Sequence, residues 1–358
     1  MLRSLRRPSG AVLLLSAALA CGGDSSGPGS QSRSYFMGFS AFPPRPDTAI
    51  LLPTLTLAAQ HSDAGLIQLG IPWTVLLADT SAAREVRVVR LPLVNFYRGS
   101  GAKVVVALDV TDGLDRSAEA PELVAAGRSI TDTSVQRRYR EYVAAVDSIL
   151  HPDYLSLAAE TNLIRLAAPT VVYGAVVTMV NAAAQERATA GSRTPLMVSV
   201  QVETAWGRLQ GGTTYVGIDQ DRSDFPFLSA LGLSSYPYLG GFNDPDSIPL
   251  EYYSRLVQGS KLPLIVLEGG WPSVTAGTVA STPALQARYI DRQSQILDAA
   301  GARGLFQITF TDLDLSAQPP PPGSILPLFA HLGLVDSALQ PKPSLAAWDS
   351  TLMRALVP

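Results

Sequence analysis

Apolar residues gather along this chain in short continuous runs, roughly 30–50 residues apart, with stretches of mixed polarity between them. The runs lie near Tyr35–Phe39, Leu66–Ile71, Lys103–Leu108, Tyr154–Ala159, Leu196–Val200, Leu231–Ser234, Leu264–Leu267 and Leu305–Phe310. Continuous apolar runs, rather than alternating ones, belong to strands buried on both faces, which is the habit of parallel sheets. The segments between them include Ala82–Tyr97, Thr133–Leu150, Thr170–Ala188, Leu250–Val257, Pro283–Ala300 and Lys342–Leu356. Several have helical spacing; in the second, Tyr142, Val143, Val146 and Ile149 share one face. Strands alternating with helices, eight times over, predict an α/β chain folded as a (β/α)8 TIM barrel. A doubly wound open sheet is the runner-up, but no glycine-rich phosphate loop follows the first strand.

The N-terminus stands apart from this pattern. Arg3, Arg6 and Arg7 precede an apolar stretch from Ala11 to Ala20, too short to span a bilayer and typical of a secretory signal. It ends in Ala18-Leu19-Ala20-Cys21, which resembles a bacterial lipobox. Cys21 is the one cysteine of the chain, so no intramolecular disulfide can form, and its place after a small-residue cleavage site suits a lipidated residue. The expected organisation is a lipoprotein signal peptide at 1–20, a flexible Gly/Ser tether at 21–33 and the barrel at 34–358. Export and anchoring to the cell envelope through a lipid on Cys21 follow from that reading.

Composition narrows the partners. Hydrophobic residues make up 47% and charged residues 16%, with a net charge of −3 and no basic block, which argues against nucleic acid. The three histidines, His61, His151 and His331, do not cluster, so neither a zinc site nor a Ser-His-Asp triad is expected, and no cofactor is implied. A monomer is the expected state.

In a parallel barrel the residues at the C-terminal tips of the strands line the active site. Two of the apolar runs end in an acid. Leu264-Ile265-Val266-Leu267 delivers Glu268 ahead of Gly269-Gly270-Trp271-Pro272, and Tyr154-Leu155-Ser156-Leu157-Ala158-Ala159 delivers Glu160 ahead of Thr161-Asn162. Two glutamates on two strand tips suggest a two-carboxylate site. The neighbouring tips are amide, acidic and aromatic: Trp73, Asp109, Asn162, Glu203, Tyr236, Tyr238 and Trp271. Carboxylates act on glycosidic bonds, and flat rings stack on the apolar faces of sugars. Each has a plainer reading too: Trp73 could be a core plug, Asp109 a helix cap, and Glu203 a rival acid after the fifth strand. Gln318-Pro319-Pro320-Pro321-Pro322-Gly323 reads as a stiff polyproline loop after the eighth strand, either walling the cleft or lying at the surface.

Here the chain resembles the retaining glycoside hydrolases of clan A. Glu268-Gly269-Gly270-Trp271-Pro272-Ser273 is similar to the nucleophile motif of that clan and to the E-x-G-W-P-S of plant-type β-1,3-glucanases. Gly232-Leu233-Ser234-Ser235-Tyr236-Pro237-Tyr238 resembles the sixth-strand segment of the endo-β-1,4-galactanases. The resemblance implies that Glu160 is the general acid/base, Glu268 the nucleophile, and Tyr236 a hydrogen-bond donor to the nucleophile. Two positions depart from the clan: Ala159 stands where an Asn usually precedes the acid/base, and the second strand lacks the customary Arg. Asn162 is a candidate to stand in for that Asn.

Three functions are in play: a retaining hydrolase of β-linked polysaccharide or oligosaccharide, a non-catalytic glycan-binding lipoprotein on a degenerate barrel, and an unrelated barrel enzyme using its acids for proton abstraction. The export reading has its own test, the intact mass of the membrane-bound protein. A chain beginning at a diacylated Cys21 is expected; an unmodified Cys21, or cleavage elsewhere, contradicts it.

Overall fold

The computed structural model describes residues 32–357 apart from positions 41, 79, 210 and 317. The signal peptide expected at 1–20, Cys21 and the tether up to residue 31 lie outside the described residues. Among those described, no helix is long and apolar enough to cross a membrane.

Nine strands form one parallel sheet: β1 (Phe36–Ser40), β2 (Ala64–Gly70), β3 (Lys103–Asp109), β4 (Tyr154–Ser156), β5 (Leu196–Met197), β6 (Ser199–Gln201), β7 (Leu231–Ser235), β8 (Leu264–Gly269) and β9 (Gly304–Gln307). Their order is β5-β4-β3-β2-β1-β9-β8-β7-β6. β5 and β6 are two halves of one strand parted at Val198. On one side Ser199 N donates to Ala158 O, and on the other Val198 O accepts from Gly232 N at 2.9 Å. Eight strand positions therefore close on themselves, and the (β/α)8 barrel predicted from the apolar runs is the fold.

The barrel interior is filled from alternate positions of the strands, as inward pleats require. Phe36, Leu66, Val105, Ala107, Ile265, Leu267 and Phe306 form this inner cluster. Gly304 makes room for it: a Cβ there would lie 2.4 Å from the Phe36 ring. Two larger clusters pack the outer faces of the sheet against the helices.

Helices Thr170–Thr189 and Pro283–Ala300 fall where the spacing puts them. The segment Ala82–Gly99 is helical throughout but widens to a π-turn at Val86–Arg90, next to Pro92, which has no N–H to give an ordinary helical bond. Leu250–Val257, expected as a helix, is two short 3-10 turns, Leu250–Tyr252 and Ser254–Val257. Helix Thr48–Gln60 was not expected, because Pro53 interrupts its pattern and it has no clear polar face; Asp47 starts it by accepting from Ala49 N at 2.9 Å. The fourth strand ends at Ser156 rather than Ala159, and a short helix, Thr161–Ala167, follows at once.

Candidate active site

The same alternation that fills the barrel decides which side chains crown it. On β2 the inward series Ala64, Leu66 continues to Gln68; on β3 Val105 and Ala107 continue to Asp109. β8 would break this rule at Glu268, which follows the inward Leu267. The register of β7 and β8 slips here, Leu233 pairing with Val266 but Ser234 with Glu268. That bulge inserts one residue and brings Glu268 over the barrel mouth. Glu160 reaches the same place by another device. Its backbone is left-handed, φ 49° and ψ 45°, a conformation that costs a non-glycine residue roughly 1–3 kcal/mol. Its N–H is held by Ser199 Oγ at 2.9 Å, and its carbonyl starts the helix Thr161–Ala167 by accepting from Leu163 N and Ile164 N.

Both glutamates line one cleft of about 820 Å³, together with Gln68, Asp109, Arg116 and Tyr236. Arg116 Nε donates to Glu160 Oε2 at 2.8 Å, and its Nη1 donates to Asp109 Oδ1 and Oδ2 at 2.6 and 2.8 Å. Ser234 Oγ donates to Glu160 Oε1 at 2.6 Å, and Ser234 pairs with Glu268 across β7 and β8. Gln68 Nε2 donates to Glu268 Oε2 at 2.6 Å. Burial, and then the charge of Glu160, push the Glu268 carboxyl up to about 7, against the opposing pull of Arg116, Ser234 and Gln68. Burial would disfavour the Arg116 charge, but Asp109 and Glu160 outweigh it and raise its proton affinity further. Of the two glutamates, Glu268 is therefore the one pushed toward its protonated form. Burial and the nearby Glu268 charge also raise the Tyr236 hydroxyl well above its ordinary value.

The other candidates are placed differently. Asn162 does not reach the cleft: its amide is spent on the backbone of Gln201, giving Nδ2–H to the carbonyl and taking the N–H on Oδ1, both at 2.8 Å. It cannot stand in for the missing Asn. Glu203 is fully buried beside the cleft and accepts from Gln201 Nε2, Ser235 Oγ, Tyr236 N and Tyr252 Oη. Burial pushes it up to about 7, and the four donors mark a carboxyl that ties β6 to β7 and the segment beyond, not a rival acid. Trp73 is a core plug, with no exposure. Trp271 stacks on Tyr289 and donates to Ser281 Oγ at 3.0 Å, and Tyr238 packs edge-on against it. None of these three rings lines the cleft. Tyr236 does, but among the described residues no hydrogen bond ties its hydroxyl to Glu268; Gln68 is the donor there. The four prolines 319–322 stay off the cleft as well, whereas Ile325, Leu326 and Phe329 just beyond them form part of its wall.

Three residues of the site were not singled out from the sequence. Gln68 was within reach, since it alternates with Leu66 on an inward face. Ser234 stood inside the sixth-strand motif. Arg116 sits on a loop with no pattern around it and pairs across 44 positions.

The fold has many solved counterparts. Exo-β-1,4-mannosidase Op5Man5 from Opitutaceae bacterium strain TAV5 superposes with a TM-score of 0.64 at 15% identity, over 90% of this chain and 60% of that one. GH5_18 from Streptomyces cattleya in complex with GlcNAc gives 0.60 at 16%, over 92% and 83%. Native xylanase 10B from Thermotoga maritima gives 0.57 at 11%, over 89% and 95%. The chain spans well under two thirds of the length of the Opitutaceae mannosidase. No family model matches the sequence, and no curated protein matches it. The fold is the (β/α)8 barrel that these glycosidases share; at these identities the likeness is one of fold.

The Arg116 cluster makes a prediction. Arg116→Ala leaves Asp109 and Glu160 buried without their cation, and breaking a buried ion pair costs about 3–5 kcal/mol. Both acids can relieve the loss by binding protons, so the destabilisation is expected to be larger at pH 8 than at pH 4.5. Urea unfolding at the two pH values checks this; an equal or negligible loss at both contradicts the network.

Proposed function

We propose that the chain is a retaining β-glycoside hydrolase that works through Glu160 and Glu268. The observation that carries the proposal is the meeting of these two carboxyls in one cleft, where Ser234, the residue paired with Glu268 across β7 and β8, gives its hydroxyl to Glu160 at 2.6 Å. One residue set against both acids favours the short separation of retaining enzymes, about 5–5.5 Å, over the 6.5–9.5 Å that leaves room for an inverting water. Strand position, by resemblance to clan A, gives the roles. Glu268 attacks the anomeric carbon as the glycosidic C–O bond breaks, and Glu160 passes its proton to the departing oxygen. Glu160 then takes a proton from water, whose oxygen displaces Glu268 from the sugar. Gln68 steadies the nucleophile in place of the usual Arg.

One contact favours a second reading with the roles exchanged. Arg116 donates to Glu160, whereas the Glu268 carboxyl is the one raised to about 7. In the first reading Arg116 falls back on Asp109 when substrate binds, and a proton moves to Glu160. In the second, Glu160 attacks and Glu268 protonates.

Kinetics of the variants separate the readings. With Glu268 as nucleophile, Glu268→Gln turns over nothing, while Glu160→Ala loses about 10²–10⁴-fold on unactivated substrates. That variant still glycosylates on aryl glycosides with good leaving groups and is accelerated by azide. Exchanged roles invert this pattern. The raised carboxyl sets the pH profile in either case: held at about 7, it gives up its proton as pH rises through that value, so wild-type kcat/KM falls above about pH 7. Binding of oligosaccharides without turnover of any glycoside, at any pH, supports the glycan-binding alternative and refutes hydrolysis.

A further inference from the structure

The polar groups on the floor of the cleft are mostly committed to one another. Asp109 and Arg116 hold each other, Gln68 holds Glu268, and the Gln201 amide is used by Glu203 and by the backbone N–H of Thr204. Above this floor aliphatic side chains come from several sides, beside the acids Asp112, Asp115 and Glu122 of the segment after β3. Leu114 comes from the loop after β3, Leu163 from the helix after β4, Leu209 and Leu239 from the loops after β6 and β7, and Ile325 and Leu326 from the segment after β9. Leu114 and Ile325 are 45% and 42% exposed at the rim, as is Phe42 at 39%. Exposed apolar side chains gathered around a cleft mark a binding surface.

Sugar rings are held by aromatic faces and by hydrogen bonds to their hydroxyls. This wall offers few of either: Phe42 and Phe329 are its aromatic rings, and Asp112, Asp115 and Glu122 its charged groups. All four tryptophans are buried and none lines the cleft. A hydroxyl pressed against leucine without a partner is desolvated at a cost, whereas a methylene there is favoured. At about 820 Å³ the cleft is large enough for a drug-sized ligand, so it extends well beyond a single ring on the floor.

We infer that the substrate is an amphipathic β-glycoside, with one sugar on the acidic floor and an aliphatic aglycone against the leucine and isoleucine wall. This rests on the glycosidase reading for the floor. It replaces a polysaccharide, whose further sugar rings would meet an unsuitable surface.

Binding of uncleavable probes tests the inference apart from catalysis. Methyl, butyl and octyl 1-thio-β-D-glucosides and 1-thio-β-D-mannosides, below their micelle concentrations, are titrated calorimetrically into the full chain. Each buried methylene should tighten binding roughly threefold, and octyl should exceed methyl by at least about 30-fold for the better sugar. Ile325→Asn and Leu114→Asn should shrink that ratio. No gain with chain length, tighter binding of cello- or manno-oligosaccharides than of the octyl probe, or equal binding of 1-octanol would each overturn the inference. The matching O-alkyl glycosides are assayed in parallel. Tight octyl binding with no hydrolysis sinks the glycosidase reading and leaves the ligand class standing. Hydrolysis that is indifferent to the alkyl chain does the reverse.

Discussion

Three carboxyls and one guanidinium are buried together at the mouth of this barrel, and their charge balance governs the site. If Asp109, Glu160 and Glu268 were all ionised, Arg116 could offset only one of them. Like charges this close and this dry are not all tolerated, so one group keeps its proton. Arg116 binds Asp109 and Glu160 directly, which leaves Glu268 as the group raised to about 7. Gln68 and Ser234 then supply neutral donors, satisfying the carboxyl oxygens without adding charge. The result is one carboxyl, Glu268, raised toward neutrality beside a second, Glu160, that Arg116 holds, a pairing suited to the proposed double displacement.

Holding that arrangement requires departures from regular backbone. A plain alternation on β8 would point Glu268 away from its present place, and the register slip beside Leu233 corrects it. Glu160 is fixed in a left-handed conformation between Ser199 and the first turn of the helix Thr161–Ala167. Such strain persists only where surrounding structure over-determines it, and here the closed ladder through Val198 and the packed inner cluster provide the frame. The irregular backbone is braced where the two acids sit, and the loops build the wall above.

The fold was legible because a parallel barrel writes itself in continuous apolar runs, and every strand position starts within a residue or two of the run that predicted it. Two were overextended: the fourth run continues to Ala159 but the ladder stops at Ser156 before the turn at Glu160, and the eighth continues to Phe310 but stops at Gln307. Helix Thr48–Gln60 was hidden by Pro53. The two glutamates were legible because each interrupts an apolar run at its tip. Their neighbours were less so, because one residue along a strand or turn decides between cleft and core. Trp271 lies three positions beyond Glu268 yet packs outward on Tyr289, and Asn162 lies two beyond Glu160 yet braces Gln201. Arg116 could not have been found by pattern, since Glu160 is brought to it only when β3 and β4 pair side by side.

The account rests on a covalent glycosyl-enzyme formed at this pair of acids. Incubation with 2-deoxy-2-fluoro-β-glycosyl fluorides slows release from such an intermediate and lets it accumulate. Intact-mass measurement should then show one fluorosugar added per chain, and mapping of the digested protein should place it on Glu268. A label on Glu160 would exchange the two roles. Turnover of the matching unfluorinated glycosyl fluoride with no adduct on either glutamate would contradict the account.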